Sequence, residues 1–417
     1  MIEPRHPLRF EGHLGRRQRL GQAMTSIFFL STLIGVLALS ALLYNVLNQT
    51  AGLRAVEYKN DPTALAVDGV AVEDLSREQM VAVLQANVTR GAFNKLEDEK
   101  PFRQRSREEV YGLIVERLLK PKVVENWSLV DSLTKRSEIE AFVAAEAPGA
   151  RLEFVSWLTP EFVSRPQSSE PLRAGVRTAI LGSLLTISIT IVVSFPIGVG
   201  AAIYLEEYAR DNALNRLIRT NINNLAGVPS IIYGILGLAI FVRAMEPVMS
   251  GAVFGLVEDP TTANGRTILA AGLALALLVL PLVIINAQEA LRAVPDSLRQ
   301  AGLGLGGTKW QTIWSHVLPT ALPGVLTGTI LAVSRAFGET APLVVIGAST
   351  YISRDPSGLF SKFTALPIQI YQWTSRPQSE FWNLAAASIV VLLALLLALN
   401  AAAVLLRNRY GRQAEQL

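Results

Sequence analysis

An arginine and a glutamate stand four residues apart inside a strongly apolar stretch of the chain. They are Arg335 and Glu339, in the sequence SRAFGET at residues 334–340. On a helix this spacing puts both side chains on one face, where they can pair. A charge in the middle of a membrane costs about 2.5–3.5 kcal/mol on insertion scales unless it is paired or hydrated. We therefore expect both side chains to face the protein interior.

This pair suits a path for an anion, because the planar donors of arginine match the geometry of an oxyanion. Glu339 would hold Arg335 in place and make tight capture of the anion unfavourable. Gly338 allows close approach of a neighbouring helix, and Pro342 loosens the helix just beyond. A structural ion pair that only fixes helix packing remains the alternative. The predicted path residues are Arg335, Glu339, Thr340 and Ser230.

Residues 289–319 form the longest polar, basic interruption between two apolar segments in the C-terminal half. Pro295 fits the first position of a helix, because its missing N–H would have no partner there. The glycine pair that begins at Gly306 breaks this helix. Thr308 opens a second helix with a capping-box pattern, and Pro319 closes it. The sequence predicts a short helix-turn-helix between two membrane spans.

The second helix of this loop carries two tryptophans. Trp310, Ile313, Trp314 and Val317 fall on one face by their three- and four-residue spacing. An apolar helix face of this kind suits docking into a groove on a partner. The alternative is that one tryptophan packs on the chain's own helices. We predict that Trp310 and Trp314 anchor a partner.

The composition indicates a membrane protein. Half of the 417 residues are hydrophobic and 17% are charged, whereas soluble domains carry about 25% charged residues. Cysteine is absent, which excludes a disulfide framework and a thiolate metal site. The net charge is +4, but the basic residues cluster beside apolar segments. This placement indicates membrane topology and no nucleic-acid partner.

Six segments are long and apolar enough to cross a membrane, which takes about 20 residues. They lie near residues 24–47, 175–205, 222–245, 267–287, 320–348 and 383–406. The third contains Gly227, Pro229 and Gly234, which predict a broken helix. The first is longer than the roughly 7–15 apolar residues of a cleaved signal peptide, so we interpret it as an uncleaved anchor. The clusters of flanking arginines place both termini in the cytoplasm.

Residues 48–173 lack membrane character and are rich in charged side chains. Two capping-box patterns, which begin at Ser76 and Ser106, predict a small, partly helical domain on the outer side. It is interpreted as a stiffening insertion, with a receptor-docking domain as the alternative. The predicted division is a cytoplasmic basic tail at 1–23, a first span at 24–47, a periplasmic domain at 48–173, a transmembrane domain at 174–406 and a cytoplasmic tail at 407–417.

Four sequence motifs and the 289–319 loop together resemble the phosphate-specific branch, the PstA type, of ABC importer permeases. The motifs are AAIYLEEYA at 201–209, AGVPSIIYGILGLAIFV at 226–242, SRAFGETAPL at 334–343 and TALPIQIY at 364–371. The loop resembles the family's EAA loop, and we call it the EAA-like loop. It departs from that motif where Gln300 replaces the glutamate, Gly302 the second alanine and His316 the isoleucine.

The resemblance implies an all-α membrane protein with the type I ABC importer permease fold. Six transmembrane helices are expected, with a soluble domain inserted between the first and second. In the family the EAA loop is gripped by the cytoplasmic ATPase. The residues that this implies for ATPase coupling are Gln300, Ala301, Gly302, Gly306, Leu318 and Pro319. Trp310 and Trp314 join them because of their shared helical face.

The resemblance also implies partners in a bacterial inner (plasma) membrane. These are a second, similar permease, a cytoplasmic ATPase dimer and a periplasmic phosphate-binding protein, besides membrane lipid. The sequence contains no G-x-x-x-x-G-K-[ST] motif, so ATP and Mg are expected on the ATPase. No cofactor, catalytic residue or metal site is expected in this chain, since no His, Asp and Glu cluster has metal-ligand spacing.

Two other functions remain open from the residues alone. One is a permease of the same fold for another oxyanion, sulfate or molybdate, which pocket chemistry does not separate from phosphate. The other is a membrane-anchored scaffold whose periplasmic domain is the working part. The EAA-like loop argues against the scaffold, because a scaffold needs no element that docks an ATPase.

Overall fold

The computed structural model describes residues 14–60, 62–67, 69–256, 264–348, 352 and 355–414. Parts of the two predicted cytoplasmic tails, residues 1–13 and 415–417, lie outside the described residues. The first helix, α1 (Leu14–Asn48), contains the predicted first span and is exposed along nearly its whole length.

A small domain built on a three-stranded antiparallel sheet follows α1. Its strands are β1 (Ala51–Tyr58), β2 (Pro121–Asn126) and β3 (Arg151–Ser156), with β1 in the centre. Its helices are α2 (Arg77–Asn87), α3 (Arg90–Glu99), α4 (Arg107–Ile114), α5 (Leu129–Thr134), α6 (Arg136–Glu146) and α7 (Pro160–Ser164). An apolar core that includes Met80, Leu84 and Ile114 lies beneath α2 and α4.

The expectation of an all-α protein is wrong for this domain. Strands β2 and β3 are six residues long, mix charged with apolar residues, and lie at the two edges of the sheet. Such short runs give too few repeats for a clear alternation of apolar and polar residues. The predicted helix starts at Ser76 and Ser106 are confirmed, because both serines form complete capping boxes.

Eleven further helices follow in the part of the chain that the structure describes beyond residue 176. They are α8 (Arg177–Ile203), α9 (Ala213–Ala226), α10 (Ser230–Gly237), α11 (Glu246–Met249), α12 (Ile268–Arg292), α13 (Asp296–Gly304), α14 (Lys309–Thr312), α15 (Leu318–Phe337), α16 (Ala341–Ile346), α17 (Leu366–Thr374) and α18 (Ser379–Ala414). Wide π-helical turns extend α8 through Tyr204–Tyr208, extend α10 through Leu238–Ala244, and join α14 to α15 through Ile313–Val317.

Five helical segments among the described residues are long and apolar enough to cross a membrane. They are Gly15–Asn48, Arg177–Tyr208, Ile268–Arg292, Lys309–Phe337 and Ser379–Arg409. A sixth is obtained if the bent pair Ala213–Ala226 and Ser230–Ala244 counts as one span. The chain bends by 104° between the two helices of this pair.

The bent pair contains the predicted third span. Its break falls between α9 and α10, at Gly227 and Pro229, as the sequence predicts. The prediction placed residues 222–226 in the span, but they form the end of α9, which runs across α10 instead of along it. Proline removes a backbone donor and disfavours helical geometry in the residue before it, so the chain changes direction there.

Helix α12 forms the centre of the helical region. Most of its apolar stretch is buried, against α8 on one side and α15 on another. A Cβ at Gly198 of α8 would lie 2.6 Å from Val283 Cγ1 of α12, so these two helices approach closely because glycine stands there. This packing holds α8 and α12 together.

Candidate functional site

The EAA-like loop folds as two helices joined by a tight turn. Helix α13 begins after Pro295, which caps it instead of occupying its first turn, and the turn contains Gly306 with φ of 83°. Thr308 caps α14 and forms a complete capping box with Gln311. The predicted helix-turn-helix is confirmed, and glycine is needed at Gly306 because other residues disfavour positive φ.

Pro319 does not end the second helix, so that prediction is wrong. The chain passes from α14 through the π turn Ile313–Val317 into α15 without a break, and Pro319 lies in the first turn of α15. A proline is tolerated at the first turn of a helical segment, where its missing N–H costs little.

The four apolar residues of this helix do not share one face. Ile313 and Val317 are buried, whereas Trp310 and Trp314 are both more than half exposed. The two indole rings stack on each other with centroids 5.4 Å apart. A helix at a protein surface has one face toward the core and one toward solvent, and the tryptophans occupy the outer face. A pair of exposed, stacked tryptophans is typical of an anchor for a partner.

Residues Gln300, Ala301 and Gly302 lie in the last half of α13. Gln300 and Ala301 are exposed, whereas Gly302 is buried against α14. A Cβ at Gly302 would lie 2.6 Å from Thr312 Cγ2. The Thr312 side chain thus fills the space that the second alanine of the motif would need, which explains this departure. Leu318 and Pro319, at the far end of the motif, are half-buried.

Two ion-pair clusters join the EAA-like loop to the end of α8. Neither cluster was predicted from the sequence. Glu206 accepts two hydrogen bonds from Arg292, at 2.9 and 2.8 Å, and also pairs with Arg219. Glu207 pairs with Arg299 at 2.8 Å. The hydrogen bonds that Arg299 donates to the Glu207 carboxylate raise the pKa of the guanidinium above its usual value. Two adjacent acidic residues opposite a basic loop were the available indication.

Arg335 and Glu339 lie at a break in the fifth predicted span, not within a continuous helix. Helix α15 ends at Phe337, Gly338 caps it, and α16 begins at Ala341 with Pro342 in its first turn. Arg335 Nε lies 3.5 Å from Glu339 Oε1. The helix stops here because Pro342 lacks the backbone donor that a continued helix would need.

The two side chains differ in exposure. Glu339 is 17% exposed, but Arg335 is 52% exposed on the surface of this single chain. On this single chain only Glu339 faces the interior; that Arg335 also faces protein, and not lipid, stays a prediction. A guanidinium within a membrane needs water or another protein surface around it.

Ser230 and Thr340 lie on neighbouring elements. Glycines on α10 approach α16 closely, Gly234 at Pro342 and Gly237 at Ile346. These contacts run in the same order along both helices. Ser230, one turn before Gly234, therefore lies at the end of α10 nearest the break that contains Thr340. The contacts thus place Ser230 at the end of α10 nearest the α15–α16 break, beside which the other three predicted path residues lie.

Comparison with known proteins gives one family and several relatives. The family model described as "Binding-protein-dependent transport system inner membrane component" matches residues 194–412. The "Probable ABC transporter permease protein YqgI" of Bacillus subtilis (strain 168) is 31% identical over 233 residues, which are 55% of this chain and 72% of that protein. The "Phosphate transport system permease protein PstA" of Yersinia pestis is 36% identical over 227 residues, which are 54% of this chain and 70% of that protein.

A further relative carries a similar description. The "Phosphate transport system permease protein PstA 1" of Mycobacterium tuberculosis (strain ATCC 25618 / H37Rv) is 32% identical over 239 residues. These are 57% of this chain and 71% of that protein. The matched family region begins within α8 and includes the EAA-like loop and the α15–α16 break.

Proposed function

We propose that this chain is the permease subunit of an ATP-driven phosphate importer. It belongs to the family of binding-protein-dependent transport system inner membrane components. The observation that carries the proposal is the EAA-like loop, which presents a stacked, exposed tryptophan pair at the end of apolar helices. Such a loop suits a permease that is driven by a separate ATPase. The choice of phosphate is supported by the PstA relatives.

The proposed fold is the type I ABC importer permease fold with six membrane spans, of which the bent pair α9–α10 forms one. Arginines cluster near the ends of α8, α12 and α18, which we place in the cytoplasm by the positive-inside rule. Both termini are then cytoplasmic, and residues 48–173 form a periplasmic domain. The membrane is the bacterial inner membrane.

The proposed partners each have a place on this chain. A cytoplasmic ATPase dimer, which binds ATP and Mg, docks on the EAA-like loop. A periplasmic phosphate-binding protein delivers substrate at the opposite end. A second, similar permease covers the surface on which Arg335 is 52% exposed, because a half-exposed guanidinium within a membrane is otherwise costly. The phosphate path then lies between the two permeases.

Arg335 would meet phosphate within this path. Its planar donors match two oxygens of an oxyanion. Glu339 pairs with the same guanidinium. Phosphate therefore competes with the Glu339 carboxylate for Arg335, and this competition favours its release. Thr340 and Ser230 would offer hydroxyl groups beside the break. Passage through a transporter requires binding that is weak enough to leave, and this arrangement supplies it.

The chain by itself should transport no phosphate, because it provides half of the path and one ATPase contact. The test is reconstitution in liposomes that contain ATP, with radiolabelled phosphate outside. The complete complex of both permeases, the ATPase and the binding protein should accumulate phosphate. Liposomes with this chain alone should show background uptake. ATP-driven uptake by the chain alone would contradict the proposal.

A further inference from the structure

Arg299 joins three structural elements through one guanidinium. Its Nε and Nη2 atoms donate to Glu207 Oε1 at the end of α8, at 3.1 and 2.8 Å. Its Nη1 and Nη2 atoms donate to the backbone carbonyls of Val294 and Leu291 at the end of α12, at 2.7 and 2.8 Å. Nη1 also donates to Asp296 of α13, at 3.2 Å. Every nitrogen of the guanidinium is therefore engaged.

The Glu207–Arg299 pair is the least exposed of the ion pairs around the EAA-like loop. The Glu207 side chain is 6% exposed and that of Arg299 is 20% exposed. In the neighbouring Glu206–Arg292 pair the arginine is 58% exposed. Exposed pairs contribute little, whereas removal of one partner from a buried pair leaves an uncompensated charge. The Glu207–Arg299 pair therefore fixes the local geometry far more strongly than its neighbours do.

An apolar cluster lies in the same region but fixes less. It joins α8 to α12 and α15 through Ala202, Leu291, Val294, Val317 and Ala321. Apolar contacts are non-directional, so they orient the elements less sharply than hydrogen bonds do. A guanidinium bound by a carboxylate and two carbonyls has a fixed plane. The ion pair therefore specifies how α13 is oriented on α8 and α12.

We propose that Glu207 and Arg299 are positioning residues that form a rigid joint, through which movement of the EAA-like loop reaches α8 and α12 together. This inference rests on the proposed function, since it concerns the loop that an ATPase would move. Glu207 lies on the π turn Tyr204–Tyr208, and turns of this kind recur at functional sites. Without the joint, movement of the loop would not be fully transmitted to α8 and α12.

The first test measures phosphate moved per ATP hydrolysed in the complete reconstituted complex. The variants are Glu207→Gln, which keeps the shape and removes the charge, and Arg299→Lys, which keeps the charge and loses the planar fork. The matched control is Asp211→Asn, which breaks the largely exposed Asp211–Arg216 pair. Recovery of the complex is measured beside the two rates.

We expect the ratio of phosphate moved to ATP hydrolysed to fall about tenfold in both joint variants, within the roughly 5- to 150-fold range of coupling effects. The ratio should be unchanged in Asp211→Asn. A merely structural role would lower the recovery and leave the ratio per assembled complex unchanged, and that result would overturn the proposal. A wild-type complex that hydrolyses ATP without moving phosphate would instead contradict the proposed function.

A second test does not depend on what is transported. The chain has no cysteine, so spin labels can be attached to cysteines introduced at the exposed positions Leu303 of α13 and Val192 of α8. In the complete complex, with and without ATP, the distance distribution between the labels should be narrow and unchanged. Glu207→Gln and Arg299→Lys should broaden it, and Asp211→Asn should not. Equally narrow distributions in the joint variants would overturn the proposal.

Discussion

Replacement of Arg335 by glutamine should abolish most phosphate uptake and leave assembly of the complex intact. The side chain is 52% exposed on this chain, and Glu339 is its ion-pair partner, so its loss removes little that holds the fold together. A hydrogen bond to a charged group contributes about 1.5–3 kcal/mol. Loss of one such bond to phosphate in the path corresponds to about a 10- to 150-fold lower rate.

Glu339→Gln separates the path role from a structural ion pair. Either substitution breaks the same pair, so a purely structural pair predicts similar effects on uptake and recovery. A path role predicts a much larger loss of uptake for Arg335→Gln, because the cation that meets phosphate is lost. Initial rates of uptake, normalised to recovered complex, measure the difference. Near-normal uptake by Arg335→Gln would reject the path role.

Replacement of both Trp310 and Trp314 by alanine should release the ATPase. Both side chains are exposed and stacked on each other, so their substitution leaves the buried face with Ile313 and Val317 intact. Aromatic anchors at interfaces contribute about 2 kcal/mol or more each. We expect at least about 30-fold weaker retention of the ATPase, which follows from the loss of one such anchor.

Co-purification of the ATPase with the permease pair measures this effect. The matched control is Trp382→Ala, because Trp382 is another exposed tryptophan that begins α18, in a region that we place at the periplasmic end. That control should retain the ATPase. Undiminished recovery of the ATPase with the double variant, together with normal transport-coupled ATP hydrolysis, would contradict the anchoring role.

The sequence predicted elements whose determinants are local. Long apolar segments placed the membrane helices, and the capping boxes at Ser76, Ser106 and Thr308 gave helix starts that the structure confirms. The turn at Gly306 was predicted from its glycine pair, and the structure gives Gly306 a positive φ. Each of these features depends on a few neighbouring residues, so it can be predicted from the sequence alone.

Features that depend on distant residues were missed or misplaced. Glu207 and Arg299 pair across 92 positions of the chain, and β1 finds its partners only through the fold. The spacing of Arg335 and Glu339 predicted their contact, but not the helix end between them. Similarly, helical spacing grouped Trp310 with Ile313. Packing against other elements decides which side of the helix faces the core, so the spacing alone did not separate the two residues.

The selectivity of uptake by the complete reconstituted complex tests the proposed phosphate importer most directly. We predict ATP-dependent accumulation of radiolabelled phosphate that requires this chain and the binding protein. An excess of unlabelled sulfate or molybdate should leave the initial rate unchanged, whereas unlabelled phosphate should suppress it. Accumulation of sulfate or molybdate without accumulation of phosphate would contradict the proposed phosphate importer.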